Sequence, residues 1–71
     1  MNIPEQVTIG GHSIRVFIDP NLEERDECHG CFDIDTMTIY IQEGMPTSHM
    51  EEVFLHEVIE AANLFLSLIH I

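Results

Sequence analysis

The chain has no lysine, and arginine occurs only at positions 15 and 25, against 13 acidic residues. The resulting formal net charge of -11 argues against direct binding to a nucleic-acid backbone, because that affinity comes from Lys and Arg displacing counterions. It suits a cation, a basic partner, or a protein surface that normally meets DNA, and it also serves plain solubility. Cysteine is limited to Cys28 and Cys31, too few for the disulfide framework of a secreted mini-protein. No basic segment leading into an apolar run opens the sequence, so no signal peptide is read there. The apolar C-terminal stretch is interrupted by Glu57, Glu60, Asn63 and Ser67, which argues against a membrane span. The expectation is a cytoplasmic protein. Gly10-Gly11 lacks the Lys of a phosphate-binding loop, and no Ser/His/Asp set can be read.

Apolar residues make up 45% of the 71 positions, enough to argue against disorder. The length allows one domain, residues 1–71. A chain this short buries only about 60% of its unfolded surface. Domains of this size often lean on a metal, a disulfide or a partner.

Val7-Thr8-Ile9 and Ile14-Arg15-Val16-Phe17-Ile18 are rich in β-branched residues and read as strands. Gly10-Gly11 between them supplies the positive φ angles of a tight hairpin. Asp19-Pro20-Asn21 ends the second strand. Residues 20–30 carry Glu23, Glu24, Arg25, Asp26 and Glu27 without periodicity and read as an acidic loop. Phe32-Asp33-Ile34 and the alternating Met37-Thr38-Ile39-Tyr40-Ile41 predict a second hairpin turning at Asp35-Thr36. The expected fold is α+β: an antiparallel sheet of three or four strands, made of two hairpins, followed by one long helix.

After Gly44-Met45-Pro46 there is no further Gly or Pro. A helix capped at Thr47 or Ser48, with Ser48 and Glu51 as a capping box, is predicted to run for more than 20 residues. Glu51 is expected in its first turn, where a carboxylate suits the helix dipole. At about 100° per residue, His49, Glu52, His56, Glu60, Asn63, Ser67 and His70 share one stripe roughly 80° wide. The stripe is either the solvated edge of a buried helix or the floor of a site. Most other helix positions are apolar, more than a small sheet covers. This predicts a missing helix or a homodimer through the apolar helix surface. The uncapped apolar ending at Ser67-Leu68-Ile69-His70-Ile71 suggests a C-terminus that is cut short or docks on another molecule.

His56 and Glu60 stand one helical turn apart, so both side chains can reach a single metal ion. Glu57 follows His56 directly, where a general base would sit beside an activated water. The spacing is that of the His-Glu-x-x-His zinc helix, with Glu in the last place. With the preceding hairpin, acidic loop and second hairpin, the run Glu51-Glu52-Val53-Phe54-Leu55-His56-Glu57-Val58-Ile59-Glu60-Ala61-Ala62-Asn63 resembles the minimal zincin-like metallopeptidase domains of phage and prophage genomes, related to the SprT and ImmA/IrrE groups. The resemblance spans roughly residues 6–66 and is most specific in the helix.

This likeness implies that His56 is the first zinc ligand, that Glu57 polarises the water, and that Glu60 takes the second ligand position. It also implies a strand such as Met37 to Ile41 bordering a substrate cleft, and a peptide or protein as substrate. A carboxylate ligand makes the site harder than the two-His form, so Zn2+, Mn2+ or no metal all stay open. A third ligand is not evident. His70 lies about 21 Å along an unbroken helix and His49 about 10 Å back, both too far. His12 and His29 fall on loops free to approach. Cys28-His29-Gly30-Cys31 is open to three readings: a plain loop, a metal ligand pair, or a redox pair. Nearby Glu24, Asp26 and Glu27 are expected to raise the thiol pKa values. Functionally, a metal-dependent peptidase or its metal-binding relative stands first. The alternative is a non-catalytic acidic module that binds a phage or host protein or mimics DNA.

Overall fold

A computed structural model describes residues 3–69, with side chains through Leu66. Gln6–Ile9 (β1) and His12–Asp19 (β2) pair antiparallel through a two-residue turn. Gly10 and Gly11 adopt φ 56° and 82°, the left-handed values that such a turn requires and that glycine reaches without steric cost.

The segment read as an acidic loop contains a short helix, Leu22–Asp26 (α1). One apolar side chain explains it: Leu22 is fully buried. The polar neighbours tie the turn down. Gln42 accepts from the Glu23 amide at 2.7 Å and donates to the Pro20 carbonyl at 2.9 Å. Asp19 accepts from the Asn21 amide at 2.9 Å and from Arg25 at 2.6 Å. Glu27 ends the helix in a left-handed conformation.

Gly30–Asp33 (β3) and Thr38–Gln42 (β4) form the second hairpin, also antiparallel. The sheet as a whole is mixed, which corrects the expected all-antiparallel arrangement. Its order is β1-β2-β4-β3, and β2 pairs with β4 in parallel, from Arg15↔Thr38 to Asp19↔Gln42. The second hairpin is laid down with its later strand inward. Thr38, Ile39 and Ile41 are buried, so β4 takes the doubly flanked position and β3 becomes an edge. A consequence for the site is that Met37 to Ile41 cannot border a cleft with free backbone groups. β3 does so instead.

The long helix α2 spans Thr47–Ile69. It starts at Thr47 itself, and the Met50 amide donates to the Pro46 carbonyl at 3.0 Å. Thr47 and Ser48 therefore lie inside the first turn rather than capping it, and that turn holds no acidic residue. His70, the side chain of Ser67, and the expectation about the C-terminus lie outside the described residues. Among the described residues, no helix is long and apolar enough to cross a membrane.

One face of the sheet receives α2. Ile14, Ile39 and Ile41 meet Phe54, Ala61 and Phe65, all buried, with Val7, Ile9, Val16 and Ile18 around them. The helix passes close to Gly30. A Cβ built there would collide with the Val53 side chain and lie 3.4 Å from Glu57 Cγ. Val53 is β-branched and has little rotamer freedom on a helix, so it cannot step aside cheaply. Gly30→Ala is expected to cost about 1–3 kcal/mol of stability through overpacking, measured as a fall in the urea midpoint. Adding Val53→Ala should recover part of that loss in a double-mutant cycle.

Candidate metal centre

His56, Glu57 and Glu60 occupy one turn of α2 but do not share one environment. His56 and Glu60 are exposed, and the His56 Nε2 atom lies 2.9 Å from Glu60 Oε1. Glu57 sits about 100° further round the helix, towards the sheet, and is only 5% exposed. Each of the three still offers a ligand atom within 4.8 Å of the others. A divalent ion bound at about 2.0–2.2 Å by nitrogen and oxygen needs donors that converge on this scale. The donor set, one imidazole and two carboxylates, is chemically suited to zinc or manganese. The structure therefore places the Glu57 carboxylate beside both His56 and Glu60.

Electrostatics mark the same cluster. Burial pushes the Glu57 carboxyl above its ordinary value, the neighbouring Glu60 charge and a hydrogen bond with Glu60 push it further, and His56 pulls it back only in part. A cation bound beside Glu57 would offset this rise by favouring the charged carboxylate.

The turn lies at the wall of an open cleft lined by Gly30, Cys31, Phe32, Glu52, Val53, His56, Glu57, Glu60 and Leu64. The cleft holds about 720 Å³, and the edge strand β3 forms its opposite side. Cys31 is the lining residue that sequence reasoning missed as part of this site. Its position in the Cys-x-x-Cys was noted, but only the sheet order shows that β3 faces α2. Cys28 and Cys31 are free thiols. The Cys31 thiol is pushed up to about 12, first by burial, then by Cys28, and last by Asp26 and Glu57. It stays protonated at neutral pH and is a poor nucleophile.

The other histidines are placed elsewhere. His12 opens β2 and stacks on Phe65, with ring centroids 4.4 Å apart. His29 faces His49, with centroids 5.6 Å apart. Neither ring is grouped with His56, Glu57 and Glu60, so among the described residues neither loop histidine that was free to approach the motif does so. No family model, no curated protein and no solved structure matches the chain.

The raised Glu57 carboxyl has a defined effect on stability. Its unfolded value is about 4.5 and its folded value is higher. Between the two, the folded chain keeps a proton that the unfolded chain releases. Stability of the metal-free protein therefore falls as pH rises from 4.5 through the folded value. Asp19 acts in the opposite sense. Its carboxyl is lowered by the Asn21 amide and by Arg25, so its contribution is lost as pH falls through the folded value. In chelator-treated protein, Glu57→Gln is expected to flatten the decline above pH 4.5 and leave the acid limb in place. Urea midpoints across the pH range check this, and an unchanged decline would contradict it.

Proposed function

We propose that this chain is a zincin-like domain of the phage and prophage type that holds a divalent cation through His56 and Glu60 and hydrolyses peptide bonds. The observation that carries the reading is the convergence of His56, Glu57 and Glu60 donor atoms within 4.8 Å on one wall of an open cleft. A cation there would supply Lewis acidity and acidify a water molecule. Glu57 has the better position for proton transfer. It is buried against the sheet, next to both proposed ligands, and its raised carboxyl suits taking a proton from the attacking water and returning it to the leaving amine. The edge of β3, across the cleft, offers unpaired backbone groups that can align an extended peptide by adding it as a strand. Two free thiols agree with a cytoplasmic setting, where reduced cysteines persist.

One observation favours a second reading, a non-catalytic interaction module. Leu55, Ile59 and Leu66 are 49%, 60% and 53% exposed and fall on one side of α2, next to the polar stripe. Unpaired apolar surface of this kind is a common mark of a protein partner or a second copy.

The two readings differ in an experiment. Purified protein, analysed for metal without added ions, is expected to carry zinc or manganese, and His56→Ala is expected to lose one equivalent of it. Glu57→Gln is expected to keep the metal while cleavage of unfolded casein falls about 100- to 10,000-fold. Metal content unchanged by His56→Ala would overturn the metal centre. Bound metal with no cleavage by the unaltered protein would favour the interaction module.

A further inference from the structure

Outside the His56 turn, a second group of potential ligands has formed where the chain entering β3 meets the start of α2. His29 and His49 are 20 residues apart in sequence, yet their rings stand edge to face at 85° with Nδ1 of His29 and Nε2 of His49 3.5 Å apart. That separation is long for a nitrogen–nitrogen hydrogen bond, which is strongest near 3 Å. It is close to the distance of about 3.3 Å between two imidazole nitrogens that share one tetrahedral zinc ion at about 2.05 Å each.

The outer nitrogens face acidic groups. His29 Nε2 lies 3.6 Å from Glu23, and His49 Nδ1 lies 3.8 Å from Glu52. These distances exceed a hydrogen bond, but each imidazole turns one nitrogen to its fellow and the other towards a carboxylate. A carboxylate that closes on the outer nitrogen of a metal-binding histidine fixes its tautomer and makes the inward nitrogen more basic.

The backbone that carries both rings is also held. The His29 carbonyl accepts from the Gln42 amide at 2.8 Å, which continues the sheet ladder one step beyond β3. The Gln42 side chain holds the Glu23 amide. His49 is fixed on the first turn of α2.

We propose that His29 and His49 form a second cation site, specific for a borderline transition metal of the zinc class, with Glu23 and Glu52 as outer partners. Two imidazoles and no ligating carboxylate make it softer than the His56 turn, so it favours zinc over manganese or magnesium. The remaining coordination positions fall to water or to an incoming ligand. His49 and His56 are seven residues apart, about 10.5 Å along the helix, so the two sites cannot share an ion. The proposal does not depend on the His56 reading.

Zinc chloride titrated into chelator-treated protein, followed by calorimetry, tests it. The expected result is that His29→Ala and His49→Ala each remove the same equivalent of zinc. Removal should also occur in a His56→Ala background, where the first centre is disabled. Glu23→Gln is expected to keep that equivalent and weaken it by about tenfold. Should His56→Ala change nothing while His29→Ala abolishes binding, the His56 reading fails and this one stands. Should both His29→Ala and His49→Ala bind as many equivalents as the unaltered protein, this proposal is overturned. The rings are 48% and 44% exposed, so these changes are not expected to unfold the domain. Acylation of the unaltered protein by diethylpyrocarbonate gives a check that needs no variant. Zinc should slow modification of both His29 and His49, and equal rates with and without zinc would overturn the site.

Discussion

The close approach of α2 to the edge strand β3 is the constraint on which the rest of the structure turns. It requires Gly30, since a side chain there would meet Val53. It closes the core, because the same helix face that passes Gly30 lowers Phe54, Ala61 and Phe65 onto Ile14, Ile39 and Ile41. It also carries Glu57 under cover with its neighbours His56 and Glu60 still in solvent. A carboxylate desolvated in this way costs free energy unless a proton or a cation neutralises it. Packing and chemistry are therefore joined at one crossing point.

Much of this could be read from residue order. Gly10-Gly11 announced a two-residue turn, and both residues have the positive φ that such a turn demands. The alternation of Ile39 and Ile41 with Tyr40 placed the first two in the core. The absence of Gly and Pro after Pro46 foretold a long helix, and it runs 23 residues. The i, i+4 spacing of His56 and Glu60 placed them on one face, and they meet at 2.9 Å.

What escaped the sequence has physical reasons. Periodicity identifies strands but not how two hairpins lie side by side, so the parallel pairing of β2 with β4 could not be seen. α1 rests on one apolar residue, Leu22, too little to give a periodic signal. The helical wheel left Glu57 outside the polar stripe, but only the position of the sheet shows that it faces inward. The same holds for His29 and His49. Nothing in sequence paired them, 20 residues apart, and the fold brings them together where the chain entering β3 meets the start of α2.

The mixed sheet has a consequence for how the chain assembles. Both antiparallel hairpins close over short turns and need only local contacts. The β2–β4 ladder joins Arg15 to Thr38, a separation of 38 − 15 = 23 residues, and so carries most of the loop-closure entropy within the sheet. On that ground each hairpin can form before the two are joined, and the parallel ladder is expected to be the slower step. β3 is tied to β1 and β2 only through that ladder. The cleft wall is then expected among the last features to appear, and an incompletely zipped sheet would have a helix carrying His56, Glu57 and Glu60 with nothing facing it.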